Sequence, residues 1–150
     1  MMDRQRLKSL LKPNEGQNII NGRHYMYPCT AGKLTVGWGH NIEDNGISNA
    51  IAEAILDEDI DESLADLNKL FPNFFLLPQT VQLVLADMRF NLGHNRFRTF
   101  KNMIAAVECQ DWPQMVFEME DSKWCSDVKS RCVNLIKMMD GFIENAYPQA

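Results

Sequence analysis

The segment from Glu15 to His40 interrupts an otherwise helical pattern, and it limits most strongly what this chain can fold into. Leu7, Leu10 and neighbouring apolar residues give an amphipathic helix over residues 3–12. Pro13 removes a backbone donor and should end or kink that helix just before Glu15. A glutamate is therefore expected at the end of a rigid element, where the chain turns away.

Two runs of alternating residues follow, at 23–27 and 34–38, joined by turn-forming residues. In the second run, Thr35, Gly37 and Gly39 should face one side. Glycine in a strand indicates close approach by a ligand or another backbone, or else a β-bulge or tight packing against a helix. The spacing alone does not decide between these. The pattern predicts a small antiparallel hairpin with a bare face beside Thr35.

After residue 47 the apolar residues recur at helical spacing. Ser48 can cap a long helix, whose apolar stripe comprises Ala52, Leu56, Ile60, Leu64, Leu67 and Phe71. More helices are predicted from Pro78 onward, and the residues after Tyr147 are expected to fray. We therefore predict an α+β fold with a small β-hairpin lobe and a larger helical lobe joined by a long helix. In one domain, 1–150, these parts are the β lobe (about 15–47), the interlobe helix (48–70) and the helical lobe (1–14 and 71–150).

Size and charge exclude several classes of protein. A chain of 150 residues with a net charge of −5 has the size of one domain. Its acidic balance does not favour nucleic-acid binding, which needs a basic face. No apolar run is long enough for a bilayer span, and the charged N-terminus with spaced apolar residues argues against a signal peptide. We expect synthesis in a cytoplasm, with no membrane anchor and no nucleic-acid partner.

Acidic residues crowd one segment, where a solvated helix face is expected: Asp57, Glu58, Asp59, Asp61, Glu62 and Asp66.

The cysteines are Cys29, Cys109, Cys125 and Cys132. They show no metal-binding spacing, and in a reducing compartment free thiols are the default. Cys132 falls on an apolar helix stripe and is expected in the core. No metal and no cofactor are expected.

The residues by themselves leave the chemistry of the segment open. Glu15 could be a general acid if burial or a partner kept it protonated, although a salt-bridged glutamate is the simpler interpretation. Cys29 could be a nucleophile with His24 or His40 as base. No helix N-terminus is predicted after Cys29 to stabilise a thiolate, so an ordinary thiol is favoured. His40 fits a structural hydrogen-bonding role.

Three motifs occur in order along the segment. Glu15-Gly16 follows a helix, Cys29 and Thr35 have five residues between them, and Thr35 to His40 reads T-V-G-W-G-H. Together they resemble the Glu, Asp-or-Cys and Thr triad of the phage-type lysozymes, the T-even and lambdoid endolysins of glycoside hydrolase family twenty-four. Further along, Phe90-Asn91-Leu92-Gly93 is similar to the F-N-x-G turn of that family.

The resemblance implies a lysozyme-like fold and a muramidase that hydrolyses the β-1,4 bond between N-acetylmuramic acid and N-acetylglucosamine in peptidoglycan. It implies that Glu15 gives a proton to the glycosidic oxygen, while Cys29 and Thr35 position water across the sugar ring. It further implies four substrate-binding residues, Gly39, Asn41, Phe90 and Asn91, and two supporting ones, His40 and Arg131, of which Arg131 pairs with Glu15. By the same resemblance the protein is a bacteriolytic endolysin, a monomer that reaches the cell wall through a holin and lyses the host of a phage.

Three departures from the family pattern accompany the resemblance. The spacing from Glu15 to Cys29 is longer than usual, and the excess, within 18–24, should lengthen the first turn or strand. A cysteine stands where a second carboxylate is common, and the net charge is acidic. Two alternatives follow: a cell-wall amidase or peptidase that uses Cys29 and a histidine, and a non-catalytic wall-binding module that keeps the lysozyme fold.

Overall fold

The computed structural model describes residues 1–148, and the chain divides into two compact units, Met1–Ala54 and Ile55–Ala150. Gln149 and Ala150 close the predicted domain and belong to the stretch expected to fray; both lie outside the described residues. The first unit carries the short strands, and the second is helical. The predicted α+β class, with a small antiparallel part and a mostly helical remainder, is confirmed. The predicted lobe boundaries at residues 47 and 70 stay predictions.

The elements of the first unit are short. They are helix α1 (Arg4–Asn14), strands β1 (Ile19–Ile20), β2 (Arg23–His24), β3 (Tyr27–Pro28), β4 (Leu34–Val36) and β5 (His40–Asn41), and helix α2 (Ile42–Asn45). Helix α1 runs past Pro13, because the Glu15 N–H still donates to the Leu11 carbonyl at 3.0 Å. Glu15 is its C-cap, as the sequence predicted.

The first alternating run is not one strand, as predicted, but two. Residues 23–24 pair with β1 around Asn21 and Gly22, whose φ angles of 50° and 79° build a tight hairpin turn. Residues 27–28 pair instead with β4. The extra length within 18–24 therefore forms a hairpin of its own.

The second run also differs from its prediction. Strand β4 ends at Val36, since Gly37 and Gly39 have positive φ angles of 64° and 81° and turn the chain into β5. Strands β3, β4 and β5 form an antiparallel sheet in that order. Helix α2 follows the sheet, and the Asn41 side chain caps it by accepting from the Asp44 N–H at 3.0 Å.

Helix α3 (Asn49–Leu70) begins in the first unit and confirms the predicted long helix. The Ser48 hydroxyl accepts the Ile51 N–H at 3.3 Å, which is the capping contact expected of it. Leu67 and Phe71 at the end of its apolar stripe are buried, whereas Leu56 and Ile60 are 41% and 40% exposed. The stripe therefore contributes to the core through its last turns.

The second unit continues with helices around an apolar core. They are a 3₁₀ turn (Phe74–Leu76) and helices α4 (Gln79–Phe97), α5 (Lys101–Glu108), α6 (Trp112–Glu120), α7 (Lys123–Val128) and α8 (Ser130–Ala146). The apolar side chains that are buried among residues 1–148 all belong to this unit, with Phe74, Leu85, Met88 and Met115 fully enclosed. Within the same range, no helix has both the length and the apolar character that a bilayer crossing requires.

One disulfide links α7 to α8, between Cys125 and Cys132. The default of free thiols is therefore wrong for this pair and holds for Cys29 and Cys109. Cys132 is fully buried, as predicted. The sequence did not predict this pair because the spacing of Cys125 and Cys132 matches no cysteine motif. The packing of α7 on α8 brings the two sulfurs together.

A buried ion cluster joins α3 to both halves of α4, which Gly93 interrupts with a non-helical φ of 79°. Asp66 is 8% exposed and accepts from Arg89 at 2.5 Å and from Arg98 at 2.9 and 2.7 Å. His94 Nδ1 lies 2.8 Å from the same carboxylate. Burial alone would raise the pKa of Asp66, but the hydrogen bonds from Arg98 and Arg89 hold it well below its usual range. The prediction of a solvated face is wrong for this member of the acidic run.

Removal of the Asp66 carboxylate should destabilise the protein strongly. Asp66→Ala leaves the buried Arg89 without its counter-charge, which costs about 3 kcal/mol or more of unfolding free energy. Urea unfolding at pH 7 measures the loss. The matched control, Asp61→Ala, removes an exposed carboxylate from the same helix and should change stability by less than about 0.5 kcal/mol.

The same comparison has a pH signature. Because the pKa of Asp66 is lowered in the folded state, its contribution is present above the unfolded pKa of about 3.9 and is lost as the pH falls below that value. The difference between wild type and Asp66→Ala should shrink in acid. Equal stabilities at pH 7 would contradict the stabilising role of the cluster.

Candidate active site

A cavity of about 450 Å³ in the first unit gathers side chains from the end of α1 and from the three-stranded sheet. Its lining includes Glu15, Tyr27, Cys29, Thr35, Gly39 and Asn41. All three predicted catalytic residues and two of the predicted substrate-binding residues thus border one space. A carboxyl group, a thiol and a hydroxyl around one cavity can donate a proton and hold a water molecule.

The register of the sheet explains why these side chains meet. Tyr27 is paired with Thr35, and Thr35 with Asn41, so the three lie in one row across β3, β4 and β5. Directly paired residues project from the same face of a sheet. Cys29 follows Tyr27 by two residues, so the strand period of two directs it to that face as well. The cavity is thus lined by one face of the sheet.

Glu15 faces the sheet at Gly39. A Cβ atom at residue 39 would lie 2.5 Å from Glu15 Oε2 and 3.0 Å from its carboxyl carbon, so a side chain there would displace the carboxylate. The φ of Gly39, 81°, also favours glycine. The sequence left open whether the glycines permit close approach or a bulge. At Gly39 the approaching group is the Glu15 carboxylate.

The Tyr27 hydroxyl connects the two sides of this contact. It donates to the Gly16 carbonyl, next to Glu15, and accepts from the Gly39 N–H at 3.1 Å. Sequence analysis did not single out Tyr27. The available signal was its position two residues before Cys29, on the same face of the strand.

Cys29 lies in a turn that its backbone closes, with its N–H donating to the Lys33 carbonyl at 2.9 Å. Hydrogen bonds from the backbone at Lys33 and Ala31, and then from the Thr35 side chain, lower the pKa of the Cys29 thiol, against an opposing effect of desolvation. Backbone N–H groups of the turn thus act on the thiol as a helix N-terminus does elsewhere, and the sequence did not predict this source of thiolate stabilisation.

Thr35 is 2% exposed, the most buried residue of the first unit. Its hydroxyl donates to the Lys33 carbonyl at 3.0 Å, which fixes the side chain beside Cys29. Around the turn, Lys33 Nζ contacts Glu43 and Asp44 at 3.1 and 3.0 Å, which ties it to α2. These hydrogen bonds and ion pairs thus hold the turn between the Cys29 thiol and the Thr35 hydroxyl in place.

His40 and Asn41 occupy the edge of the site. The His40 Nε2–H donates to the Gly46 carbonyl at 2.6 Å, which is the structural role expected of this histidine. The Asn41 amide is bound to Asp44 through both of its polar atoms, at 3.0 Å each. Its position in the cavity lining is therefore set by the cap of α2.

The remaining predicted site residues belong to the second unit. Phe90 is 41% exposed and borders an apolar groove there. Asn91 Oδ1 accepts from the Trp124 indole N–H at 2.8 Å. Arg131 Nε donates to Asp87 at 2.6 Å. Their predicted roles towards substrate and Glu15 stay predictions.

The family model and the two relatives found by comparison with known proteins are all described as lysozymes. A family model described as phage lysozyme matches residues 19–137, a range that includes Cys29 and Thr35 and begins after Glu15. Two relatives come from Dictyostelium discoideum. Probable T4-type lysozyme 1 is 25% identical over 94% of this chain and 97% of its own length. Probable T4-type lysozyme 2 is 23% identical over 89% and 93%.

The contact at Gly39 predicts what an added methyl group does. In Gly39→Ala the carboxylate is the movable partner, so the Glu15 side chain should shift by about 1 Å or more to restore a normal separation. The left-handed backbone should cost about 1 kcal/mol of unfolding free energy. A crystal structure and urea unfolding of the variant measure the two effects.

Gly32→Ala is the matched control, since Gly32 has a φ of 76° and no atom near its added Cβ. It should lose a similar amount of stability and leave Glu15 in place. A Glu15 carboxylate that keeps its position in Gly39→Ala would refute the proposed contact.

Proposed function

The chain belongs to the phage lysozyme family, and from this premise we propose that it is a muramidase that hydrolyses the β-1,4 bond between N-acetylmuramic acid and N-acetylglucosamine in peptidoglycan. The observation that carries the proposal is the single cavity bordered by Glu15, Cys29 and Thr35. Membership of the family supports lysozyme activity in general. The cavity supports the assignment of roles to particular residues.

Glu15 is the proposed general acid. It stands at the end of α1, against Gly39 on one side and open to the cavity on the other. From there it gives its proton to the glycosidic oxygen as the bond to the leaving sugar breaks. A helix end and a backbone contact hold the carboxyl group in one place, and such positioning contributes much of the rate of a bimolecular step.

Cys29 and Thr35 are proposed to hold the attacking water, so that the reaction proceeds by single displacement with inversion at the anomeric carbon. A water molecule needs a base or acceptor on this side. The lowered pKa of Cys29 supplies more thiolate near neutral pH than a free thiol would. The buried Thr35 hydroxyl is fixed beside it. The thiolate thus takes the place of the second carboxylate.

The remaining residues have proposed supporting roles. Gly39 and Asn41 border the cavity and would contact the sugar there. Phe90 and Asn91 are proposed to add substrate contacts from the second unit, while His40 braces the sheet and Arg131 supports Glu15. We further propose that the protein is a monomeric endolysin that reaches the wall through a holin and causes bacteriolysis of a phage host.

The cysteine amidase has less support. It needs a histidine beside Cys29 as base, and neither His24 nor His40 borders the cavity. His40 Nε2 is engaged with Gly46, and His24 stacks edge-on against Trp38 at 4.6 Å. A non-catalytic module would keep the cavity without turnover, and the assay below separates it from the enzyme.

Loss of the acid should abolish turnover. Glu15→Gln keeps the shape of the side chain and removes its proton, so the release of new reducing ends from purified peptidoglycan should fall by about a hundredfold or more. Clearing of the suspension is followed in parallel, and the anomer of the fresh product, read by NMR, should be inverted.

Glu53→Gln, an exposed glutamate of α3, is the control and should keep wild-type activity. Reducing ends released equally by wild type and Glu15→Gln would contradict the proposal. New amino groups in place of reducing ends would favour the amidase, and a folded but inactive wild type would favour the binding module.

The thiol predicts a pH dependence. The pKa of the Cys29 thiol is lowered, so its thiolate forms at pH values below the free-thiol pKa of about 8.5. Wild-type activity should therefore rise with pH in that range. Cys29→Asp supplies a carboxylate with a reference pKa of about 3.9 and should move this rise to much lower pH. The initial rate of reducing-end release is measured between pH 4 and 9.

Cys29→Ala is the matched variant without any base, and it should lose most turnover at every pH. Cys109→Ser removes the other free thiol and should leave the profile unchanged. Undiminished turnover in Cys29→Ala would mean that Thr35 alone positions the water.

A further inference from the structure

We infer that Tyr27 is a positioning residue of this site: its hydroxyl clamps the backbone on both sides of the Glu15 carboxylate and thereby holds the proton donor in its reactive place. The inference rests on the proposed function, in which Glu15 is the acid. The hydrogen bonds of the Tyr27 hydroxyl go to glycines and not to Glu15, so its effect on the reaction passes through Gly16 and Gly39, which flank the carboxylate.

The clamp consists of hydrogen bonds from one oxygen to two distant parts of the chain. The Tyr27 hydroxyl donates to the carbonyl of Gly16, the residue after Glu15. The same oxygen accepts the N–H of Gly39 at 3.1 Å and lies 3.4 Å from the Gly37 carbonyl. The phenol thus joins the turn after α1 to the glycine turn between β4 and β5.

The two clamped residues are the ones that confine the carboxylate. Glu15 precedes Gly16, and its Oε2 lies 2.5 Å from the position that a Cβ of Gly39 would occupy. If Gly39 moved away, the carboxylate would lose the surface against which it rests. A fixed distance between Gly16 and Gly39 is therefore what fixes the carboxylate relative to the sheet that carries Cys29 and Thr35.

The aromatic ring fits this task closely. A Cβ added at Gly16 would lie 2.7 Å from Tyr27 Cε2, so the ring packs directly against the Gly16 backbone. Phenylalanine would keep that packing and lose both the donor and the acceptor. The ring by itself therefore fills the space, and the hydroxyl sets the distance between the two turns.

Exposed side chains add a second link across this distance: the Trp38 indole N–H donates to Gln17 Oε1 at 2.9 Å, and Lys12 Nζ lies 4.1 Å from the centre of the Trp38 ring. Thr35 is the only buried residue of the first unit, so no apolar core stiffens the glycine turn. Gly37 and Gly39, both at positive φ, have wide conformational freedom. A displacement of the acid by a fraction of an ångström to one ångström is enough to slow a reaction severely. The clamp should therefore act on turnover and not on binding.

The test measures kcat and KM on soluble peptidoglycan fragments for wild type, Tyr27→Phe and the control Tyr25→Phe, an exposed tyrosine outside the cavity lining. Tyr27→Phe should lower kcat by about tenfold or more and leave KM within about twofold. Tyr25→Phe should match wild type. Hydrogen exchange at the Gly39 amide should be faster in Tyr27→Phe only, because that N–H loses its acceptor.

Placing p-aminophenylalanine at residue 27 provides the rescue, since its amino group restores a donor and an acceptor at the same reach. It should recover most of the lost kcat. This variant also decides the matter if Tyr27→Phe fails to fold: a folded amino variant with kcat near wild type supports the clamp, and one with kcat as low as expected for Tyr27→Phe overturns it.

The outcomes separate this inference from the function on which it rests. An active wild type, an inactive Glu15→Gln and a Tyr27→Phe with unchanged kcat would overturn the clamp alone. A parallel fall in kcat and a rise in KM, without rescue, would assign Tyr27 a merely structural role and also overturn it. A wild type that releases no reducing ends would overturn the proposed function, and the role of the clamp in catalysis with it.

Discussion

The contact between the Glu15 carboxylate and Gly39 is the constraint around which the first unit is built. It needs a helix that ends at residue 15, a glycine turn with positive φ opposite it, and a link that keeps the two at one distance. The C-cap at Glu15 meets the first requirement, Gly37 and Gly39 the second, and the Tyr27 hydroxyl the third. Each of these local features serves the close approach of the Glu15 carboxylate to Gly39.

The two units owe their stability to different interactions. The second unit buries apolar side chains around Phe74, Met88 and Met115 and adds the Asp66 cluster and a disulfide. The first unit has short strands and polar contacts and buries Thr35 alone. Regions with few buried apolar contacts open most easily. A site in such a region depends on individual hydrogen bonds for its geometry, which is why single hydroxyl groups matter here.

A cysteine beside a glutamate changes how the two sides of the site are tuned. Two carboxylates in one cavity would influence each other through like charge. A thiol avoids that repulsion while it is protonated, and the turn that carries Cys29 makes its thiolate more accessible through backbone N–H groups. The base side of the site is therefore controlled by turn geometry, whereas the acid side is controlled by the end of α1 and by Gly39.

Sequence patterns determined the class of fold, the helix end at Glu15 and the long helix α3, because each depends on local period or capping. The hairpin of residues 19–24 and the start of α2 depend on local turn and capping residues, Asn21-Gly22 and Asn41, that the alternating pattern concealed. Tertiary structure alone decided the burial of Asp66, the pairing of Cys125 with Cys132 and the link made by Tyr27. These features join groups that are distant in the chain or that compete with a local pattern, and no period along the sequence records such partners.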